Sequence, residues 1–373
     1  MIASAANEIY AELARVLAAR RGELAALTAV TGFDGFVDEM IQVVGERRGV
    51  GEFIPMRAIT DFAAWAAAAA GRSSLREIVV HRQDAGGCAV NLGDGLAALG
   101  ARVELFATVG APIHAAFAPT LARFAAVHPL GEVHGRTLAL EFGDGKLMLS
   151  AVAQLATIDA ALAERALCSG AYPAACARAR LIALTNWTLY PHMTAVWRLL
   201  AERVFSRLTH RPAFVIDLVD PSGRRGEDIR AMLAVLPRLA ECGHASLGVN
   251  LNEANVLARL LGLVGGGDDE GMVALAARLR SAIGVSEVVV HALHNAACAG
   301  IAGEAYVPGP YTQTPVKLTG AGDRFNAGYG LGLMLDLPAA QRLALGNASS
   351  GCYVRRGTSV GMSDIIAAGQ AGL

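Results

Sequence analysis

Short apolar runs recur down the whole length of this chain, at residues 29–33, 103–109, 181–185, 214–218, 246–249 and 287–291. Each is too short for a helix of ordinary length and too uniformly apolar for a half-exposed strand, so they read as strands buried on both faces. Helical periodicity fills the intervals. Leu92, Leu96 and Leu99 repeat at i, i+4 and i+7, and the alanine-rich stretch 63–70 reads as helix. Met272, Leu275, Leu279 and Ile283 repeat in the same way after the loop 262–271, where Asp268, Asp269 and Glu270 supply the acidic start that a helix favours. Strands that alternate with helices build a parallel sheet with helices on both sides, so the expected fold is a three-layer α/β/α sandwich with a mainly parallel sheet.

Two stretches break the alternation. Residues 51–59 read as β structure, and 136–150 reads as two alternating strands joined at Gly143-Asp144-Gly145, a hairpin signal. Together they predict a small β lid beside the main body. There is no internal repeat and no low-complexity linker, and the alternation resumes after each interruption. The expected organisation is an N-terminal helical extension (1–28), one domain over 29–363 with lid segments near 40–60 and 131–150, and a C-terminal tail (364–373).

Composition removes several function classes. With 54% hydrophobic and 17% charged residues and a net charge of −1, the chain has ample apolar mass for a core and is not a disordered polymer. A pI near 6.8 with interspersed charges leaves no basic stripe for nucleic acid. The six cysteines (Cys88, Cys168, Cys176, Cys242, Cys298, Cys352) are far apart, with no Cys-x-x-Cys pair to suggest zinc or a disulfide framework; reduced thiols in a cytoplasmic protein are the expectation. Glu8 and Glu12 interrupt what a signal peptide would keep apolar, and no run approaches the roughly 20 residues of a membrane span.

Lysine occurs only at Lys146 and Lys317. The sole Gly-Lys pair, Gly145-Lys146, continues into Leu147, so there is no lysine-bearing phosphate loop, and a Schiff-base enzyme would have to use one of these same two residues. Glycine, by contrast, is abundant at 42 of 373 residues, against an average of about 7%.

Three glycine-bearing segments carry candidate chemistry. Thr319-Gly-Ala-Gly-Asp-Arg-Phe-Asn-Ala-Gly328 runs from a turn into a helical pattern marked by Phe325, Leu331 and Leu335, so a helix begins near Asp323. Small residues at 320 to 322 let backbone N–H groups converge on an anion at that helix start, and Asp323 beside it could take a proton from an attacking hydroxyl. The same residues also suit an ordinary turn with Asp323 as a cap. In Asp84-Ala-Gly-Gly-Cys-Ala-Val-Asn91, Gly86 and Gly87 either admit a polyol close to the backbone, with Asn91 facing its hydroxyls, or form a plain loop before a helix. In Thr31-Gly-Phe-Asp-Gly-Phe-Val-Asp-Glu-Met40, Asp34 and Asp38 either bind vicinal hydroxyls beyond a strand end or shape a turn.

These segments, in this order, resemble the ribokinase or PfkB-type carbohydrate kinases: an aspartate after the first strand, Gly-Gly-x-x-x-Asn at a helix entry, and Thr-Gly-Ala-Gly-Asp near the C-terminus. Asn250-Leu-Asn-Glu253 is similar to that family's Asn-x-x-Glu motif. The resemblance covers roughly 29–363. It implies Mg²⁺-dependent transfer of a phosphoryl group from ATP to a sugar hydroxyl, with Asp323 as base and the Gly320, Ala321 and Gly322 amides as anion hole. It further implies that Asp34, Asp38, Gly86, Gly87 and Asn91 hold the acceptor, that Thr319 and Asn347 border the nucleotide, and that Asn250 and Glu253 act on Mg²⁺ through water. In such kinases the lid also pairs two subunits.

The chain departs from the pattern in two places. Lys317-Leu318 stands where Asp-Thr is frequent, and His291-Ala-Leu-His-Asn-Ala296 replaces a Thr-x-Gly-x-x-Gly loop that touches nucleotide phosphates. With four residues between Gly32-Phe33 and Asp38, and a histidine after a late strand, the chain also resembles ADP-dependent sugar kinases of the same superfamily. A nucleoside kinase, or a sugar-binding regulator without donor use, are further alternatives. His291 reads as a strand-end histidine, and three residues from His294 in an extended segment the two face opposite sides, which argues against a shared metal.

Overall fold

A computed structural model describes residues 2–267 and 269–371; the expected helix-start residue Asp268 lies outside the described residues, as do the side chains of Asp269 and Glu270. The strands are β1 (Thr28–Phe33), β2 (Phe36–Gly49), β3 (Glu52–Pro55), β4 (Ile78–Gly86), β5 (Arg102–Ala107), β6 (Ala126–Pro129), β7 (Gly135–Phe142), β8 (Gly145–Ala151), β9 (Leu181–Thr185), β10 (Ala213–Asp217), β11 (His244–Asn250), β12 (Glu287–His291), β13 (Asn295–Gly300) and β14 (Gly303–Pro308).

Nine of them form the main sheet in the order β14-β13-β12-β11-β10-β9-β1-β5-β6. All neighbours from β12 to β6 are parallel, and β13 and β14 close one edge as antiparallel strands. Period-two alternation assigns the strand residues to two cores. Ile182, Leu184, Phe214 and Ile216 face one cluster, which includes Trp197, Leu239 and Leu275 from helices on that side. Leu181, Ala183 and Val215 face the other, with Leu96, Phe325 and Leu343. The result is the three-layer α/β/α sandwich.

The second sheet has five strands, with β2 at its centre between β7 and both β3 and β4. The hairpin read from Gly143-Asp144-Gly145 is β7–β8, with Phe142 opposite Gly145. Two features differ from the sequence reading. Asp38 lies neither beyond a strand end nor in a turn but within β2, a 14-residue strand, and the predicted β stretch 51–59 ends at Pro55, its last residue opening the helix Ile59–Ala68. β4 carries no apolar alternation strong enough to be read.

The ends of the chain pack on the body. In the helix Ile2–Ala19, Tyr10, Leu13 and Leu17 are buried in the second core, together with Ile365 of the helix Met362–Ala371. The segments set apart by sequence as extension and tail thus meet each other, with Gly369 lying against the Tyr10 carbonyl and Ala14. No helix among the described residues is long and apolar enough to cross a membrane.

Candidate active site

The carboxyl ends of the parallel strands β1, β9, β10, β11 and β12 share one edge of the main sheet, and the first turns of the helix Ala321–Met334 meet it there, with Asn326 bonded to Asp217 at the end of β10 and Gly322 beside His291 at the end of β12. Gly320 caps that helix in the left-handed region at φ 83, which a residue with a β-carbon adopts only under strain. An atom in the β-carbon position would lie 2.9 Å from Arg324 Nη1, 3.3 Å from the Tyr353 hydroxyl and 3.4 Å from Asn91 Nδ2, so the missing side chain leaves a small cradle of donors.

Asp323 is buried in the first turn of this helix, and its Oδ2 accepts a hydrogen bond from Asn91 Nδ2 at 2.9 Å. Burial and the nearby Asp217 carboxylate push its pKa up to about 7, against the opposing influence of Arg324 and Asn91. A carboxyl poised there exchanges a proton readily at neutral pH.

Asp217, at the end of β10, is a site residue that the sequence reading missed. Its Oδ2 accepts from Asn326 Nδ2 at 2.7 Å and its Oδ1 from the Val219 N–H at 2.9 Å, which holds β-branched Val219 at φ 61. Burial above all raises its pKa to about 6, with Asp34 adding to the rise. The only signal for it was an aspartate at the carboxyl end of an apolar run.

Asn250 and Glu253 form a reciprocal capping box at the start of the helix Leu251–Leu260: Asn250 Oδ1 accepts from the Glu253 N–H and Glu253 Oε2 from the Asn250 N–H, both at 2.9 Å. Burial, then Asp217, with further contributions from Asp220 and Asp323, pushes Glu253 up to about 8. Among the described residues no three acidic, histidine or cysteine side chains are close enough to ligate a metal directly. Asp217, Glu253 and Asp323, carboxylates that repel one another without direct-ligand geometry, suit a hydrated Mg²⁺, which keeps most of its waters.

The acceptor candidates separate. Asp34 is fully buried, and its two oxygens accept four hydrogen bonds, from the Cys88 and Ala89 N–H groups, Thr185 Oγ1 and Asn186 Nδ2, at 2.6 to 2.9 Å. All its lone pairs are occupied by the protein, so it anchors the start of the helix Cys88–Ala98 and has no capacity left for a sugar. Gly86 and Gly87 also answer a packing need. A β-carbon at 86 would come within 2.5 Å of the Asp38 carboxylate, and one at 87, where φ is 100, within 2.9 Å of the Asp34 carbonyl. Asp38 lies in β2 opposite Asp84, and burial raises its pKa.

Two cavities meet at the turn before Asp323, and Pro315 and Leu318 line both. The first, about 1030 Å³, is lined by Asn250, His291, Tyr311, Gly322, Phe325 and Asn347. Asn347 donates to the Val307 carbonyl at 3.1 Å. Burial pushes His291 down to about 4, so it is neutral, and its ring stacks on Phe325 at 4.9 Å. The second cavity, about 1000 Å³, lies between the turn and the second sheet and includes Asn91, Thr319 and Arg324. Thr319, expected beside the nucleotide with Asn347, thus borders the opposite cavity, where its carbonyl accepts from the Tyr353 hydroxyl at 2.7 Å.

A family model described as prokaryotic ketohexokinase matches residues 12–370. A ketohexokinase from Haloferax volcanii is 31% identical over 332 residues, covering 88% of this chain and 86% of that relative. Among solved structures, Arabidopsis thaliana ribokinase complexed with ribose and ATP superposes with a TM-score of 0.63 at 15% identity, over 93% of this chain and 99% of that one. Burkholderia thailandensis nucleoside kinase in complex with inosine gives 0.59 at 16% identity, over 93% and 97%.

Proposed function

The chain belongs to the prokaryotic ketohexokinase family, within the ribokinase or PfkB-type carbohydrate kinases, and on that premise we propose that it transfers the terminal phosphoryl group of ATP to a hydroxyl of a ketohexose. The observation that carries this reading is the Asn91–Asp323 hydrogen bond at 2.9 Å, beside a glycine turn where two cavities meet. One cavity takes the nucleotide, against His291, Phe325 and Asn347; the other takes the sugar, with Asn91 and the lid.

The acceptor hydroxyl oxygen attacks the terminal phosphorus, and its proton passes to the Asp323 carboxylate. The new P–O bond forms as the bond to the bridging oxygen breaks, and ADP leaves with the electron pair. Backbone amides at Gly320, Ala321 and Gly322, aligned with the helix dipole, stabilise charge on the transferring group. Mg²⁺, when bound, neutralises phosphate charge; Asn250 and Glu253 would hold it through water, with Asp217 nearby. Phosphoryl transfer needs little beyond positioning and charge stabilisation, so this chemistry does not depend on a lysine-bearing loop.

The lid pairs two subunits through apolar side chains that it leaves exposed on one face, among them Ile78, Val80 and Leu149. The protein works in the cytoplasm, in keeping with six free cysteines.

The test is product formation from fructose with ATP or ADP in the presence of Mg²⁺, repeated with Asp323→Asn. The expected result is ATP-dependent phosphorylation that falls by a factor on the order of 10² to 10⁴ in the variant while fructose still binds. Turnover retained in Asp323→Asn would sink the mechanism, and turnover with ADP alone would reassign the donor.

A further inference from the structure

The cavity under the lid is cationic beyond what a neutral sugar requires. Arg82, Arg123, Lys146, Lys317, Arg324 and Arg356 all line it, against the three carboxylates of Asp84, Asp94 and Glu141. It therefore holds both of the chain's lysines. Several of the charges are already matched: Lys146 pairs with Glu141 at 3.0 Å, Arg82 with Asp84 at 2.8 Å, and Arg123 with Asp94. Two are not fully matched, and they flank the phosphate-binding turn.

Arg324, 7% exposed, follows Asp323 in the helix. Its Nε donates to Ser359 Oγ and its Nη2 to Asp94 Oδ2, both at 2.9 Å, and its guanidinium carbon lies 4.5 Å from the centre of the Tyr353 ring. Nη1 is buried and has no acceptor among the described residues. That nitrogen borders the cradle left by Gly320, so its two N–H groups are desolvated next to an anion hole. Lys317, three residues before Gly320, pairs loosely with Asp84, at 3.9 Å. Its side chain is about one-third exposed, and it feels Arg324 and Arg82 as like charges. A buried guanidinium nitrogen without an acceptor, with a loosely held ammonium nearby, calls for an anion with several oxygens.

We propose that Arg324 and Lys317 form a phosphate subsite on the acceptor side of the Gly320 turn, which binds the phosphomonoester group of a sugar phosphate. The subsite rests on the kinase reading for its direction. The phosphoryl group crosses from the nucleotide cavity to the acceptor, and the phosphomonoester so formed lies against Arg324 Nη1 until release. Both residues belong to stretches beside the Gly-Ala-Gly-Asp run, and Lys317 is one of the two departures from the family's pattern.

The experiment titrates inorganic phosphate and fructose 1-phosphate into the full chain by calorimetry, without nucleotide, alongside fructose and ADP. Lys317→Gln and Lys317→Glu alter a partly exposed side chain; Arg324→Met removes the buried donor and is interpreted together with its melting temperature, because it also releases Asp94. The expected result is that fructose 1-phosphate binds, that Lys317→Gln weakens it about tenfold and Lys317→Glu more, and that fructose and ADP affinities change less than twofold. The subsite is overturned if the native chain does not bind a phosphomonoester, if both Lys317 variants bind it unchanged, or if fructose or ADP affinity falls in parallel. Lys317-dependent phosphate binding in a chain that phosphorylates no ketose would leave the subsite standing and remove the kinase reading. Turnover of fructose with Lys317-independent phosphate binding would do the reverse.

Discussion

Asn91 donates to the Asp323 carboxylate across 232 residues of sequence, at 2.9 Å. The contact depends on the close approach of two helices: a β-carbon at Gly95 would stand 2.6 Å from that of Ala327, so glycine at 95 lets Cys88–Ala98 lie directly against Ala321–Met334. Because the amide donates to the charged form, it holds the Asp323 pKa lower than burial and Asp217 alone would set it. Asn91→Leu removes that donor. Asp323 then titrates above its value of about 7, and the acidic limb of the kcat profile moves to higher pH. A pH profile of kcat checks this; an unmoved limb would mean that Asp323 does not carry the titration.

Asp217 acts with the opposite sign. After burial, its carboxylate is the largest influence raising the Asp323 pKa. Asp217→Asn removes the negative charge, while an amide flip at Asn326 can preserve their hydrogen bond. The acidic limb is expected at lower pH than in the native chain, so the two variants displace one titration in opposite directions. Parallel pH profiles of kcat test the pair, and a shift of both in the same direction would count against Asp323 as the common base.

Much of the body was legible because the driving pattern is local. Leu181 to Thr185 read as a buried strand and is one, since an apolar run between turn residues permits little else in an α/β chain. The lid was half legible. β7 and β8 announce themselves through Gly143-Asp144-Gly145, whereas β4 offers His81, Arg82, Gln83 and Asp84 in succession, and its pairing with β2 is visible only in three dimensions. The site shows the same division. Gly320 to Asp323 is a contiguous device whose shape follows from its own residues. Asp217 becomes a site residue only because β10 ends beside that helix, and the contrast between Asp34 and Asp38 rests on donors supplied by residues 88, 89, 185 and 186.

Asp34 is expected to govern stability. Asp34→Ala leaves two helix N–H groups, the Thr185 hydroxyl and the Asn186 amide without their acceptor at a position that is 0% exposed. The loss is expected to be about 3 kcal/mol or more. Denaturant unfolding should show a lower midpoint at an unchanged slope. A variant of native stability that has lost sugar affinity would return Asp34 to the acceptor site.

The lid supplies the last prediction. Ile78 and Val80 on β4 are 46% and 43% exposed, and Leu149 on β8, on the same face of the sheet, is 52% exposed. Strands that leave apolar side chains in water at both margins of one small sheet form a surface suited to a second copy of the same sheet. Light scattering of the native chain should therefore give twice the 38.6 kDa of one chain. Val80→Glu combined with Leu149→Glu places charges in the contact and should return the single-chain mass without lowering the unfolding midpoint, because neither side chain belongs to a buried core cluster. A native chain that is monomeric, or a double variant that remains dimeric, would exclude the lid as the subunit contact.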